Sequence, residues 1–212
     1  MSKLLLVLAF VPVAVAAAAT SAAAEAPPPR RPAIELGGGI DFSLLGTYDL
    51  GAALGGDAER SDLGPGTLGV YVAADVPVTD TATIGAEGGI AVGGLVKTDE
   101  RYFGTRSSVG STLTAWARAR AGLHVAPRLR VGATAGIERL SEASGAGSVR
   151  MDAVVLGPTA AVALGRGFAA EVHVDLHIPY RAHIGDDRRG DPAGTFLGAG
   201  LRLAYAHDVG NR

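Results

Sequence analysis

Cysteine is absent from all 212 residues, and this absence removes several kinds of site. A chain without thiols has no disulfide framework, no thiolate metal ligand, no cysteine nucleophile and no cysteine for N-terminal lipidation. Aromatic residues are also scarce, at 5%, and Trp116 is the single tryptophan. The formal net charge of −2, together with the lack of a basic run with interleaved aromatics, argues against nucleic acid as a partner.

A long apolar run is missing everywhere except at the N-terminus. There, Lys3 precedes an apolar stretch over 4–15, and the small residues Ala22-Ala23-Ala24 follow. This order of positive, apolar and small residues predicts a secretory signal peptide over 1–24 that is cleaved near Ala24. The rival interpretation, an uncleaved membrane anchor, fits less well because the run is short. A Pro-rich linker is expected over 25–32.

What the chain has instead is a regular alternation of apolar and polar residues. Ile34, Leu36 and Ile40 fall on one parity, and Glu35 and Asp41 fall on the other. Successive side chains of a strand point to opposite faces, so this segment is predicted to be a strand with one apolar face. The pattern recurs, and the predicted strands are Ala33–Leu45, Thr67–Val76, Ala82–Val96, Ser111–Val125, Leu129–Leu140, Asp152–Leu164, Phe168–Ile178 and Thr195–Tyr205.

The connections between these strands alternate between long and short. Long polar loops are expected over 46–66, 97–110, 141–151 and 179–194, and short turns lie between them. Both ends of the strand region therefore fall on the side of the short turns. In the sixth strand both parities are apolar, and Val154 and Leu156 are expected to face outward.

This pattern resembles the small eight-stranded outer-membrane barrels, the OmpA/OmpX-like group, over nearly all of Ala33 to Tyr205. The resemblance lies in strand length and connection length, not in signature residues. It implies an all-β fold, an eight-stranded antiparallel up-and-down transmembrane β-barrel over 33–207, with a short C-terminal tail over 208–212. Short turns would face the periplasm of a Gram-negative cell, and long loops would face outward. The apolar parity would then face lipid.

The same resemblance implies a set of partners. Outer-membrane lipids and the barrel-assembly machinery are expected, an extracellular partner could meet the long loops, and the protein would be a monomer. One departure concerns assembly, because such barrels usually end on an aromatic residue, whereas this chain continues past Tyr205 to Arg212.

The polar parity collects charged residues that would be costly against lipid. An eight-stranded barrel is narrow enough for side chains to fill, and buried charges persist when they are paired. Counting from the short turns places Glu87 level with Arg120, and Arg202 near Glu171 and Glu35. The predicted lumen charge network is Glu35, Asp41, Asp75, Glu87, Arg118, Arg120, Arg130, Glu138, Glu171, His173, Asp175 and Arg202.

Two kinds of chemistry, metal binding and enzymatic catalysis, are candidates for this chain. The row Glu171, His173, Asp175, His177 has inward residues about 6.6 Å apart, so only neighbours could share one ion. His173 and Asp175 remain as metal candidates, but no metal and no cofactor is expected. The chain has no G-x-S-x-G nucleophile motif, so it is not expected to be an enzyme.

The sequence therefore predicts an outer-membrane barrel with a structural or interaction role. The alternatives are a narrow pore for small solutes or ions, and a lipid-modifying outer-membrane enzyme. A soluble periplasmic barrel that binds an apolar ligand would invert the two parities and place the leucines and valines inside.

Overall fold

The chain forms an antiparallel β-sheet, as seen in a computed structural model that describes residues 32–45, 59–101, 104–144, 147–184, 188–190 and 195–209. The predicted signal peptide and nearly all of the linker lie outside these residues. The strands are β1 (Ala33–Leu45), β2 (Glu59–Pro77), β3 (Ala82–Arg101), β4 (Gly104–Ala126), β5 (Leu129–Ser144), β6 (Gly147–Gly165), β7 (Phe168–Ile184), β8 (Arg188–Gly190) and β9 (Phe196–Asp208). Across the described ranges, no helix is long and apolar enough to cross a membrane.

The sheet closes on itself. β1 to β6 pair in chain order, β6 pairs with β7, and β9 lies between β7 and β1. The three-residue β8 pairs with β7 near Ala182–Ile184. The eight long strands therefore form a ring in which each has a partner on both sides, which removes the free edge that an open sheet would expose. The predicted eight-stranded antiparallel barrel is confirmed.

The strands are tilted relative to the barrel axis. Stepping across paired residues from Phe168 on β7, through β9 and β1 to β6, returns to β7 at Ile178, which is 178 − 168 = 10 residues further along. Such a stagger is what closing a sheet into a barrel requires. Residues in register on neighbouring strands consequently lie at different heights along the barrel axis.

The two parities separate by exposure. Outward apolar residues such as Leu36 and Leu68 are 60% and 63% exposed, whereas inward Glu87 and Arg202 are 4% and 3% exposed. In β6 the predicted orientation is confirmed, because Val154 is exposed and Val155 is fully buried. The barrel is therefore apolar outside and charged inside.

The predicted long loops are wrong in extent wherever the structure describes them. The region 97–110 is mostly paired strand, since β3 and β4 continue to within two residues of each other. Observed strands also extend into the other predicted loops, which are 46–66, 141–151 and 179–194. Both faces of a strand turn polar where it leaves the apolar band, so the period-two signal ends before the strand does.

Inward glycines make room for the few large side chains of the lumen. A Cβ on Gly37 would lie 2.5 Å from Tyr71 Cε1, and one on Gly89 would collide with the Trp116 ring. Tyr71 and Trp116 belong to the small apolar core of the lumen, which also contains Ala73, Ala91 and Ala204. Glycine at these positions thus permits close approach of side chain to backbone.

Gly89→Ala is expected to lower the free energy of unfolding by about 1–3 kcal/mol, because the added methyl overpacks the lumen. It would lie 2.5 Å from the Val70 carbonyl oxygen as well as against Trp116. Urea titration in lipid vesicles, scored by the heat-modifiable mobility of the folded barrel on gels, measures the effect. Gly88→Ala is the control, since its nearest neighbour is 3.4 Å away on the outer side. Equal urea midpoints for the two variants would contradict the packing argument.

Candidate functional site

The charged side chains of the lumen fall into two groups at different heights. The lower end of the barrel is defined here as the end with the short turns, at 78–81, 127–128 and 166–167. Seven inward residues near this end form the lower cluster, and six nearer the opposite, upper end form the upper chain. The lower cluster is Glu35, Asp75, Glu87, Glu171, Arg120, Arg130 and Arg202.

Arg120 lies at the centre of the lower cluster. Its Nη1 donates to Glu35 Oε2 at 3.0 Å, and its Nε lies 3.3 Å from Asp75 Oδ1. Its Nη2 donates to Glu171 Oε2 at 3.5 Å, and Glu87 Oε2 lies 3.6 Å from Nη1. One guanidinium therefore contacts carboxylates from four different strands, which is a use of its planar fork that lysine could not match.

Arg130 and Arg202 complete the cluster on either side. Arg130 Nη1 donates to Asp75 Oδ2 at 2.7 Å and to Glu35 Oε1 at 3.2 Å. Arg202 Nη1 donates to both oxygens of Glu87, at 3.0 and 3.2 Å. The acids and two of the guanidinium groups are buried, and Arg130 is nearly so. Interlocked ion pairs therefore fill the lower lumen.

The upper chain is a continuous row of acidic and basic groups: Asp41, His173, Asp175, Arg118, Glu138 and His177. His173 Nε2 lies 2.6 Å from Asp41 Oδ1 and 3.7 Å from Asp175 Oδ2. Arg118 Nη1 donates to Asp175 Oδ2 at 2.7 Å. Arg118 also lies 3.9 Å from Glu87, which connects the upper chain to the lower cluster.

The far half of the upper chain ends on an aromatic stack. Arg118 Nη2 donates to Glu138 Oε2 at 3.5 Å, and Glu138 Oε1 lies 3.2 Å from His177 Nδ1. The His177 ring stacks on Phe196, with centroids 3.9 Å apart and planes at 16°. His177 is thereby fixed on two sides.

A cavity of about 60 Å³ lies beside the upper chain. Its walls include every member of that chain, together with Trp116, Phe196 and inward residues of β2 and β3. A buried water needs roughly 10–15 Å³ of cavity volume, so the space suits a few waters or one small polar molecule. The lumen is thus packed below and partly open above.

The large rings of the lumen are held by the arginines. The Arg202 guanidinium carbon lies 5.0 Å from the Tyr71 ring centroid and 5.8 Å from that of Trp116, while Arg118 lies 5.7 Å from Trp116. These distances are within the range of cation–π attraction. Trp116 therefore lies near an arginine of each charged group, Arg118 of the upper chain and Arg202 of the lower cluster.

The predicted pairings were partly wrong. The predicted proximity of Glu87 and Arg120 is confirmed, because Glu87 lies 3.6 Å from Arg120 and 3.9 Å from Arg118, although its register partner on β4 is Arg118. Arg202 is paired with Glu171, at 3.6 Å, but Glu35 is held by Arg120 and Arg130 instead of Arg202. The last strand ends at Asp208, three residues beyond the predicted end at Tyr205, so counting from Tyr205 placed Arg202 too close to the level of Glu35.

The row suggested as a metal site is divided between the two groups. Glu171 belongs to the lower cluster, whereas His173, Asp175 and His177 belong to the upper chain. Among the residues that the structure describes, no three histidine, aspartate or glutamate side chains are arranged to hold a metal ion. His173 and Asp175 are close neighbours without a third ligand.

One ion pair was missed by the sequence reasoning. Arg139 Nε donates to Asp152 Oδ1 at 2.7 Å, and Nη2 donates to Asp152 Oδ2 at 3.1 Å. Arg139 shares the outward parity of Ile137, so a charge on the apolar parity was the available signal. Its position facing outward, above the exposed Ile137, indicates where the apolar band ends on β5.

Arg120→Met is expected to lower the free energy of unfolding by about 3–5 kcal/mol, because it leaves buried carboxylates without their shared counter-charge. Arg128→Met is the control, since Arg128 is exposed in the β4–β5 turn, and its change should stay within about 0.5 kcal/mol. Urea titration in vesicles measures both. A loss at Arg120 no larger than that at Arg128 would contradict a tightly coupled lower cluster.

Comparison with known proteins concerns the architecture of the barrel. No protein-family model and no curated protein matches the chain. Among solved structures, Ail, the attachment invasion locus protein of Yersinia pestis, is 10% identical with a TM-score of 0.50, over 84% of this chain and 98% of Ail. The outer membrane protein AlkL is 14% identical with a TM-score of 0.48, over 89% and 96% of the two chains. Neisserial surface protein A is 12% identical with a TM-score of 0.42, over 81% and 96%.

The agreement with Ail concerns the path of the chain and not its residues, since identity is so low. It accords with the closed ring, the antiparallel pairing and the short turns at one end. The chain has the fold of the small eight-stranded outer-membrane barrels.

Proposed function

We propose that this chain is an integral outer-membrane barrel protein with a structural or interaction role and a lumen sealed by its lower cluster. The observation that carries the proposal is the exposed apolar band around a buried, charged interior. In water such a continuous apolar surface is rare on a monomer and marks a membrane or partner contact. In lipid, a closed barrel satisfies every backbone hydrogen bond of the spanning strands.

The height of the band fits a bilayer. On β4, every second residue from Leu113 to Val125 is exposed and apolar. These twelve steps cover about 41 Å along a strand, or about 31 Å after a tilt of about 40°. The hydrocarbon core of a bilayer is about 30 Å thick, so the dimensions agree. The export signal predicted over 1–24 would bring the barrel to the outer membrane.

An interaction role is supported by the strands that run past the band. The pairing of β3 with β4 continues from Leu95–Gly110 to Arg101–Gly104, and β2 joins β3 as far up as Glu59–Asp99. This extension lies at the upper end and carries charged residues in its sequence, so it would stand in water above the membrane. We assign the extracellular contact surface to this three-stranded extension.

A narrow pore for small solutes or ions is the second candidate. The cavity of about 60 Å³ favours it, because the upper lumen has space for small polar species. The lower cluster opposes it, because conduction requires several buried ion pairs to separate. The sealed barrel is therefore the better-supported function.

Ile90→Arg tests the membrane band. Ile90 and Val78 are 53% and 58% exposed, but Ile90 lies within the band and Val78 lies in the β2–β3 turn. Arginine at the bilayer midplane of a barrel costs about 2–4 kcal/mol, and near the interface about 0–1 kcal/mol. Ile90→Arg should therefore fold poorly into vesicles, whereas Val78→Arg should insert like the parent protein.

The measurement is the fraction of heat-modifiable, vesicle-bound protein after refolding. In a water-soluble barrel both substitutions would be tolerated equally. Equal insertion of the two variants would therefore argue against a lipid-facing band.

Planar bilayer recordings test the seal. The parent protein is expected to show no stable unitary conductance, because the lower cluster occupies the lumen. Replacing one whole ion pair, Glu87→Ala with Arg202→Ala, should admit ions. The matched control removes an acid and a base from exposed turns, Asp80→Ala with Arg128→Ala, and should remain silent. Stable conductance of the parent protein would favour the pore instead.

A further inference from the structure

The upper chain carries more acidic than basic charge. Its carboxylates are Asp41, Glu138 and Asp175, and Arg118 is its one guanidinium. Three carboxylates there therefore share one guanidinium and two histidines. In the lower cluster, four carboxylates face three guanidinium groups, so no spare arginine is left to compensate. Buried charge that is not compensated is costly.

The groups around the cavity are also incompletely hydrogen-bonded. Asp175 and His173 are each 3% exposed. Within the described residues, Asp175 Oδ1 and His173 Nδ1 have no hydrogen-bond partner, and neither do two donors of the cavity wall, Arg118 Nε and Trp116 Nε1. All four side chains line the cavity of about 60 Å³. An acidic wall, unused acceptor atoms and available volume therefore coincide in one place.

We propose that this cavity binds a small alkylammonium cation of about the size of methylammonium. A monocation offsets part of the excess negative charge, and its N–H groups donate to separate carboxylate oxygens. A directly coordinated metal ion fits less well, because no three ligands converge among the described side chains. The lower cluster closes the lumen beneath the cavity, so the cation enters from the upper end.

The size of the cavity limits the ligand. The volume corresponds to about four to six waters, so it admits a methylammonium ion together with water, whereas a tetraethylammonium ion exceeds it.

Trp116 is the reporter for the experiment, because it is the only tryptophan and it lines the cavity. The folded protein in detergent micelles is titrated with methylammonium chloride at constant ionic strength, with sodium chloride and tetraethylammonium chloride in parallel. The expected result is a saturable change of fluorescence with methylammonium alone, accompanied by a calorimetric signal.

Two carboxylate variants test the site. Asp175→Asn removes a buried acid of the wall, and Asp41→Asn removes one whose side chain is 32% exposed, so the second is the milder change for folding. Each should weaken methylammonium binding by about tenfold or more, as expected for a hydrogen bond to a charged group. Asp80→Asn, in an exposed turn, should bind like the parent protein. Heat-modifiable gel mobility verifies that each variant is folded.

Three results would overturn the proposal. The first is the absence of both a saturable fluorescence change and a calorimetric signal. The second is an equal response to sodium or tetraethylammonium, which would indicate a general effect of salt. The third is unchanged affinity in folded Asp41→Asn. None of these results bears on insertion into membranes, which the Ile90 and Val78 variants test independently.

Discussion

Closure of the sheet is the constraint on which the rest of this structure depends. Because β9 joins β7 to β1, each long strand has two neighbours and one residue in two must face a narrow interior. The interior has room for few large side chains, so glycines such as Gly37 and Gly89 stand opposite Tyr71 and Trp116. The exterior receives the other parity, which is apolar along its central length. Local alternation, packing and the apolar surface therefore follow from one topological condition.

Inside the closed barrel, the charges of the buried side chains determine how the lumen is filled. An exposed ion pair contributes about 0–1 kcal/mol, and burying one incurs a desolvation cost that can exceed the attraction. In the lower cluster each guanidinium group contacts several carboxylates, and this sharing offsets the desolvation cost. Arg120, for example, contacts Glu35, Asp75 and Glu171. We expect this sharing to favour one strand register, because a slipped register would separate charges that are already inside. The same interlocking fills the lumen and closes it.

The sequence predicted the faces of the strands better than their ends or their partners. β1 has the predicted bounds, and in β6 the exposed Val154 beside the buried Val155 confirmed the orientation. The predicted strand ends around 97–110 were wrong, because a strand that continues above the apolar band no longer needs an apolar face. The predicted proximity of Glu35 and Arg202 was wrong because β9 continues to Asp208 instead of ending at Tyr205, which places Arg202 opposite Gly39. The Arg139–Asp152 pair was not predicted, although the two residues are in regular register and the charge of Arg139 on the outward parity was an available signal.

The two halves of the lumen differ in charge balance, and this difference connects the seal to the cavity. In the lower cluster, three guanidinium groups face four carboxylates, and the side chains leave little space. Above, three carboxylates share Arg118 and the two histidines, and the space of about 60 Å³ remains. Sealing and binding are therefore compatible in one barrel, because the barrier lies beneath the pocket. A cation that neutralises the upper chain would strengthen the barrel without opening it, whereas a pore would require the lower cluster to be taken apart.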